Sequence, residues 1–468
     1  MARTTLLTLL PPWGRPTVPI GLGYLSQTLT THGVQHQVLD LNLEMYRSAS
    51  RLADLSHLWR PQSGEAWVDP QRFQRTLELL QPALDHAVDR LATAEATLYG
   101  FSVNQSNARI TVQAAQELRK RRPDCVIVFG GLGVFIDGER AMMPSGVVDL
   151  FVLGEGEQTL LDIVQRLERG EPLQDVPGTL TTPGASTANM IPRPALDLQH
   201  HIWPTYDAFP VADYPGGGQP MPLSLSRGCV CRCSFCGDYP FWGKFRSRCG
   251  EDVVDEVEHH IQRHGVRQFE FNDLAINGDL EQLEIFCSGV IRRNLAIEWS
   301  SYAYFRKLPS HLPRLLRQAG CVMLRFGMES ASDAVLERMR KPHRAQLAAQ
   351  TLEQLTAAGI HCNIGLMVGF PDETDEELEQ TCRFLRRNAA QIHEVDSLSV
   401  FYIKPLSEVD REPQRYGVSF PEDHRVRWNH WVGRDGSTHE VRSARARRLV
   451  QAIEACGIRF QHCNIFGL

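Results

Sequence analysis

Short apolar runs with β character alternate with amphipathic helical stretches along most of this chain. The first cycle reads TTLLTLL, PIGLGYLSQTLTTHG and VQHQVLDLN, and ATLYGFSV, ITVQAAQELRKRRPD, CVIVFGG and VDLFVLGEGEQTLLDIVQRLERG continue it. Because strands joined by helices run parallel, this order predicts an α/β fold, with a doubly wound parallel sheet of the Rossmann type over residues 1–171. Residues 43–95 interrupt the pattern with a mostly helical insertion, whose role cannot be read from the sequence.

A second series of strand and helix units follows a segment of different composition. Residues 172–222 are rich in Pro, Gly and Thr with little periodicity, which is typical of a linker between domains. Strand-like runs then recur at LSLSR, QFEFND, IEWSSYAY, CVMLRFGM, HCNIGLMVGF and SLSVFYI. These units predict a partial (β/α)6 barrel over residues 223–404, with ligands at the carboxyl ends of its strands. Residues 405–468 are predicted to form a C-terminal extension.

Four of the 12 cysteines, Cys229, Cys231, Cys233 and Cys236, follow the first barrel strand within one short loop. Three thiolates spaced Cys-x3-Cys-x2-Cys can bind three irons of a four-iron cluster and leave the fourth iron open to another ligand. A structural zinc site would need four protein ligands, and no second Cys or His pair follows at zinc-finger spacing. We therefore favour Cys229, Cys233 and Cys236 as cluster ligands. Because Cys231 alternates with them, we expect its thiol to point away as a bystander.

The overall composition excludes several classes of protein. The 468 residues carry 49 basic and 55 acidic side chains, so the net charge of −6 gives no global attraction to nucleic acid. No stretch approaches the roughly 18 to 20 apolar residues of a membrane span, and the start does not resemble a signal peptide, so we expect a cytoplasmic protein. Trp428, His430, Trp431 and the basic run of Arg442, Arg445, Arg447 and Arg448 would suit a nucleic-acid surface. We interpret them instead as core tryptophans and a solvated helix, and expect no nucleic-acid partner.

The cysteine loop, with Phe235 before its last cysteine, resembles the signature of radical S-adenosylmethionine (SAM) enzymes. The following elements FEFND, LRFGMES and GLMVGFPDETDEE resemble the barrel of that superfamily in order. The segments PIGLGYLSQTL, VIVFGG and VDLFVLGEGE resemble the cobalamin-binding domain that precedes the barrel in one branch. The resemblance implies a [4Fe–4S] cluster and SAM as cofactors, and a flavodoxin or ferredoxin as the external electron donor.

The resemblance also assigns cofactor contacts to strand ends. It places Asn272 and Asp273 near the ammonium group of SAM, although the usual Gly-Gly-Glu is missing and helix capping would explain these residues equally. Glu329 and Ser330 would meet its carboxylate or ribose. Contacts to adenine are implied for four further residues: Phe235, Gly365, Val368 and Gly369. Ordinary turns and hydrophobic packing are the alternatives for these positions.

The first domain has sequence features both for and against cobalamin binding. Relatives that supply a histidine to cobalt carry it after the first strand, where this chain reads Leu10-Pro-Pro-Trp13-Gly14-Arg15. Gly130-Gly131-Leu132-Gly133 replaces the Gly-Gly-Pro-His that is frequent in relatives. The Gly154-Glu155-Gly156 turn resembles the loop near the corrin tail, but such a turn needs no ligand.

The predicted barrel mouth favours a small polar substrate. The candidate catalytic residues are Glu270, Asp273, Glu298, Tyr302 and Tyr304, and solvated rim residues are the alternative. We expect radical dehydration or deoxygenation of an aminoglycoside-like sugar in secondary metabolism, such as antibiotic biosynthesis. Cobalamin-dependent C-methyl transfer is the alternative, and a non-catalytic cobalamin or redox sensor is a further one. Cys463 is a second-cluster ligand or radical-quenching thiol only if it reaches this mouth; a buried structural cysteine is the simpler interpretation.

Overall fold

The structure is a computed structural model that describes residues 4–11, 16–52, 55–60, 63–199, 202–420, 430–460 and 465–466. It divides into two compact units, residues 1–222 and 223–468, and each is described by itself. Trp13, Trp428 and Cys463, discussed above, lie outside the described residues.

The first unit is built around a six-stranded sheet. Its strands are β1 Thr5–Leu9, β2 His36–Asp40, β3 Leu98–Ser102, β4 Val126–Gly130, β5 Leu150–Val152 and β6 Thr179–Leu180. Its helices are α1 Ile20–Thr31, α2 Leu41–Leu52, α3 Gly64–Val68, α4 Pro70–Thr93, α5 Ala108–Arg121, α6 Leu132–Phe135, α7 Asp137–Ala141 and α8 Glu157–Arg169. The strand order is β2-β1-β3-β4-β5-β6. The four pairs among β1 to β5 are parallel, and β6 pairs antiparallel with β5. The doubly wound sheet expected from the alternation is confirmed.

The helical insertion is part of the core of this unit. Trp59 donates a hydrogen bond of 2.8 Å to the side chain of Asn42, and Trp67 donates one of 2.8 Å to the carbonyl of Leu58. Both indoles are fully buried and meet edge to face, 5.5 Å apart. Aromatic rings with satisfied N–H groups fix the insertion against the sheet.

The segment expected to be a linker contributes to the same unit. It supplies β6 at the sheet edge, and it buries Tyr206 and Tyr214. The Tyr214 hydroxyl donates a hydrogen bond to the carboxylate of Asp40, at the carboxyl end of β2. The high Pro and Gly content of residues 172–222 therefore reflects a segment with little regular secondary structure that is nevertheless packed against the first unit.

The second unit contains an eight-stranded sheet and two small ribbons. Its strands are β7 Met221–Leu223, β8 Ser226–Arg227, β9 Arg246–Ser247, β10 Gln268–Phe271, β11 Glu298–Ala303, β12 Cys321–Glu329, β13 His361–Val368, β14 Glu394–Val400, β15 Val418–Ser419, β16 Val432–Gly433, β17 Arg459–Phe460 and β18 Ile465–Phe466. Its helices are α9 Asp238–Trp242, α10 Gly250–His264, α11 Leu280–Arg292, α12 Leu312–Gln318, α13 Asp333–Arg338, α14 Ala345–Ala357, α15 Asp375–Asn388, α16 Glu408–Arg411 and α17 His439–Ala455.

The main sheet has the order β17-β14-β13-β12-β11-β10-β7, and β18 also pairs with β14. The six expected strand regions are present, but the first is shorter than LSLSR. Its strand ends at Leu223, and Ser226–Arg227 pairs instead with Arg246–Ser247 in a separate antiparallel ribbon. The parallel pairs from β10 to β14 place their carboxyl ends at one edge.

Side chains along each barrel strand alternate between the helix layer and the barrel lumen. On β12, Leu324, Phe326 and Met328 are buried, whereas Arg325 and Glu329 are partly exposed. Strand geometry points alternate side chains to opposite faces. The apolar set therefore packs under the helices, and the polar set lines the lumen.

The C-terminal extension continues the barrel unit. Helix α17 packs against α15, and β17 and β18 extend the sheet beyond β14. The guanidinium of the fully buried Arg442 lies 3.7 Å from the ring centre of the buried Trp431. These two residues belong to the core, as the sequence interpretation held for Trp431, whereas Arg442 was expected on a solvated face.

Candidate functional site

The cysteine loop occupies the stretch between β8 and α9, and it is anchored by contacts at both ends. The buried Ser234 donates its backbone N–H to the carbonyl of Met339 over 3.0 Å, and its hydroxyl to the carbonyl of Arg338 over 3.2 Å. Gly237 packs so closely on the carbonyl of Pro405 that a Cβ atom would collide with it. These contacts hold the four cysteines in one short loop of fixed course.

Asp273 sets the position of the chain just before this loop. The carboxylate is only 1% exposed, and it accepts hydrogen bonds from the backbone N–H of Leu225 over 2.9 Å and from the hydroxyl of Ser226. Burial raises the pKa of Asp273 to about 6, although these hydrogen bonds oppose the shift. Asp273 was expected as a catalytic and SAM-binding residue, but its contacts make it a positioning residue.

The thiols of the loop do not alternate as expected. The backbone N–H of Cys231 donates to the Cys229 sulfur over 3.4 Å, and its thiol interacts with those of Cys229 and Cys233, so it lies beside theirs instead of pointing away. The hydrogen bond from Cys231 lowers the pKa of Cys229 to about 7 and also lowers that of Cys233. Cys236 donates its thiol to Asp238 over 3.2 Å, and burial raises its pKa to about 12.

The donor set fits a four-iron cluster by its chemistry. Within the described part of the chain, no three Cys, His, Asp or Glu side chains surround a point where a single metal ion would bind. Three cysteines of a cluster bind three different irons, so they do not converge on one point. Cys229, Cys233 and Cys236 would hold such a cluster, and the Cys236 thiol would have to leave Asp238.

A lysine that sequence reasoning missed lies beside the cysteines. Lys341 donates a hydrogen bond of 3.2 Å to Glu329, and its ammonium group lies 5.7 Å from the ring centre of Phe235. Burial lowers the pKa of Lys341, but Glu329 and the Cys233 thiol raise it by more, so the net pKa is above the usual range. A fixed cation at this point favours anionic groups nearby. Lys341 follows Glu329 by 12 residues in the sequence, and this spacing does not predict their contact.

The other residues expected to contact SAM differ in their exposure, from an exposed strand end to fully buried positions. Asn272 is exposed and directly follows β10, and Gly365 lies on the lumen face of β13. Ser330 is 1% exposed, and its hydroxyl is engaged with Thr381 and the backbone N–H of Ser332. The two remaining positions are enclosed by protein: Val368 is fully buried, and Gly369 is covered by Arg442.

The predicted catalytic residues separate into a lumen group and an outlying residue. Glu270 and Tyr302 lie together, because Arg325 bonds Glu270 over 2.8 Å and its guanidinium lies 5.7 Å from the Tyr302 ring centre. Tyr304 follows β11, and its ring lies 5.5 Å from the guanidinium of Arg306. Glu298 is exposed at the first residue of β11. It is therefore at the amino end of the strand and not at the barrel mouth.

The comparison with protein families identifies the second unit. Residues 223–385, which contain the cysteine loop and strands β8 to β13, match the family described as Radical SAM superfamily. The second unit is therefore a radical SAM domain. Such a domain marks the chain as an enzyme, and a [4Fe–4S] cluster and SAM are the cofactors of this superfamily. This finding supports an enzyme over the sensor interpretation.

Curated relatives of this radical SAM protein include methyltransferases. It is 28% identical over 264 residues to an "uncharacterized methyltransferase PH0819" of Pyrococcus horikoshii, covering 56% of this chain and 58% of the relative. It is 24% identical over 466 residues to a cytidylyl-2-hydroxyethylphosphonate methyltransferase of Streptomyces wedmorensis, covering 90% of this chain and 82% of the relative. The chain thus spans little more than half the length of the first relative.

A solved structure shares the fold of the radical SAM chain. The methyltransferase TsrM of Kitasatospora setae, solved with cobalamin and a [4Fe–4S] cluster bound, superposes with a TM-score of 0.65. The match covers 90% of this chain and 76% of TsrM at 18% identity. The likeness at this identity concerns the fold, in which a Rossmann-type unit precedes the radical SAM barrel. Among the described residues, none of the helices is both long and apolar enough to cross a membrane.

Proposed function

We propose that this protein is a cobalamin-dependent radical SAM methyltransferase acting on a small polar substrate. The observation that carries the proposal is the intact Cys-x3-Cys-x2-Cys loop in a barrel that follows a Rossmann-type unit. The methyltransferase names of the two curated relatives described above, and the cobalamin and cluster bound in TsrM, support it. This reverses the preference drawn from the sequence, since neither relative is named a dehydratase.

Different residues of the barrel would bind the cluster and SAM. When bound, the cluster supplies the electron that cleaves SAM, and cobalamin carries the methyl group. Cys229, Cys233 and Cys236 would hold the irons, in a loop positioned by Ser234 and Asp273. Lys341, with Glu329, would orient the charged amino acid end of SAM. The electron itself would come from an external flavodoxin or ferredoxin.

The carboxyl edge of the first sheet fits a corrin without a histidine ligand. Gly131 and Gly133 bring their loop directly against the backbone of Val103 and Asn104, where a Cβ atom would collide. These glycines thus serve loop packing. Gly154, with φ +83°, would place a Cβ in open space. The described part of this edge offers no imidazole, so any corrin held there would bind without a histidine ligand from it.

Isotope labelling tests the proposal. The reconstituted enzyme, supplied with cobalamin, reductant and SAM carrying a CD3 group, is incubated with extract metabolites, and products are followed by mass spectrometry. We expect 5′-deoxyadenosine together with a small molecule heavier by one CD3 group. A product that has lost water and gained no label would refute methyl transfer and restore the dehydration hypothesis. No 5′-deoxyadenosine would refute the radical SAM activity itself.

A further inference from the structure

One arginine spans the barrel lumen below the cysteine loop. From β12, Arg325 reaches Glu270 on β10 over 2.8 Å and Asp396 on β14 over 3.7 Å. It also lies 3.5 Å from the hydroxyl of Ser300 on β11. Glu270 lies two strands from β12 on one side, and Asp396 lies two strands from β12 on the other side. The side chain therefore crosses the lumen floor instead of forming a local surface pair.

An amide oxygen without a hydrogen-bond partner among the described residues lies next to this arginine. Asn363 on β13 is paired in register with Arg325, so both side chains leave the same face of the sheet. It is 4% exposed, and its Oδ1 atom accepts no hydrogen bond within the described part of the chain. Buried amides are normally paired, since an unmet acceptor costs stability. An orphaned acceptor that faces a lumen points to a donor brought by a ligand.

The contacts of Arg325 leave an excess of negative charge. One guanidinium meets two carboxylates, and burial raises the pKa of Asp396, with Arg325 offsetting part of the shift. A second cation would satisfy both this charge and the free Asn363 acceptor. A carboxylate or phosphate would add to the repulsion and leave the acceptor unmet.

We propose that the lumen layer, formed by Glu270, Ser300, Arg325, Asn363 and Asp396, binds an ammonium group of the substrate. The layer is open to entry, because the side chains of Arg325 and Asp396 are each 20% exposed. Arg325 and Glu329 lie on the same strand about 13 Å apart, at about 3.3 Å per residue. A small amine could thus be anchored in the layer while its other end reaches the cysteine loop. This inference rests on the proposed function.

Substitution of the orphaned amide separates binding from folding. Asn363→Leu keeps the side-chain size and removes a buried acceptor that has no partner, so its melting temperature should equal or exceed that of the unaltered enzyme. The probe is 1,4-diaminobutane, titrated calorimetrically into the reconstituted enzyme. We expect binding to the unaltered enzyme, about tenfold weaker binding to Asn363→Leu, and no heat from butane-1,4-diol or succinate.

Asn388→Leu is the matched control, since the Asn388 amide donates to the carbonyl of Phe384 on α15. It should lower the melting temperature and leave diamine binding unchanged. The inference is overturned if the diamine does not bind, if succinate binds in its place, or if Asn363→Leu melts lower and binds the diamine normally. These results concern only the lumen layer, since the labelling experiment reports on SAM cleavage and methyl transfer without using this probe.

Discussion

Lys404 donates a hydrogen bond of 2.9 Å to the carboxylate of Asp238, and this pair ties the helix after the cysteine loop to the chain beyond β14. The same carboxylate accepts the Cys236 thiol. Both members are partly buried, at 33% and 25% side-chain exposure, so water screens the pair less than a surface ion pair. The carboxylate beside the last cluster cysteine is thus held by a residue 168 positions after that cysteine.

Lys404→Met should loosen the cysteine loop. Without its cation, Asp238 is left partly buried beside Cys236, and a carboxylate next to a thiolate ligand is repulsive. We expect the iron bound after anaerobic reconstitution to fall to about half, with a similar fall in 5′-deoxyadenosine formation, and Lys404→Arg to retain most of both. Iron and sulfide analysis provides the measurement, and full iron content in Lys404→Met would contradict this role.

The four cysteines should divide into three essential residues and one dispensable residue. Cys233→Ala removes one ligand of the Cys-x3-Cys-x2-Cys set and should abolish SAM cleavage. Cys231→Ala leaves that set complete, although it removes a thiol that contacts both Cys229 and Cys233. We expect its Mössbauer spectrum and 5′-deoxyadenosine yield to remain near those of the unaltered enzyme. Loss of the cluster in Cys231→Ala alone would overturn the ligand assignment.

Lys341→Met should weaken the use of SAM without removing the cluster. The substitution keeps the unbranched shape and most of the length of the side chain, and it leaves Glu329 without its cation beside the cysteines. We expect the KM for SAM to rise about tenfold, as for the loss of a charged hydrogen bond, while iron content stays constant. Arg344→Met, which breaks an exposed pair with Glu337, is the control and should change neither quantity.

The sequence predicted the strands and the cluster loop because both depend on local pattern. Alternating apolar residues on β12 reflect the division between helix layer and lumen, and the cysteine spacing lies within one loop. The surroundings of the site depend on chain segments that are distant in sequence. Lys341 approaches Glu329 from the loop after α13, and Arg325 meets Asp396 across β13.

Two carboxylates show why residue type alone misassigned roles. Asp273 and Glu298 both flank barrel strands, and a sequence pattern cannot tell whether a polar strand end faces the lumen, the core or water. Asp273 is enclosed and bonded to Leu225 and Ser226, whereas Glu298 begins its strand at the opposite edge. Only the register of the strands separates these cases.

Glu373 should make stability depend on pH near neutrality. This fully enclosed carboxyl accepts the backbone N–H of Gly369 over 2.5 Å, and burial raises its pKa from 4.5 to about 7, although Gly369 and Arg445 oppose the shift. Between these two pH values the native chain holds a proton that the unfolded chain has released. The free energy of unfolding therefore falls as pH rises through this window, by about 3 kcal/mol at most.

Glu373→Gln removes this ionisation and keeps an oxygen that can accept the Gly369 N–H. We expect urea denaturation to show a gain in stability at pH 8 that disappears near pH 4.5. Glu376→Gln, at an exposed position in the same helix start, is the control and should show no such trend. Equal effects of Glu373→Gln at both pH values would show that the carboxyl is not protonated in the native protein.

The corrin should bind without an imidazole ligand. The turn after β1 reads Leu-Pro-Pro-Trp-Gly-Arg, and the described residues at the carboxyl edge of the first sheet include no histidine. A nitrogen ligand splits the electron paramagnetic resonance lines of a cobalt(II) corrin, and the benzimidazole tail of cobalamin can itself supply such a nitrogen. We therefore expect a spectrum without that splitting when reduced cobinamide, which lacks this tail, is bound to the enzyme. Introducing Trp13→His should leave the spectrum unchanged if the corrin is held elsewhere, and should produce the splitting if the turn faces cobalt. Nitrogen splitting in the unaltered enzyme would show that a histidine from another part of the chain binds the metal.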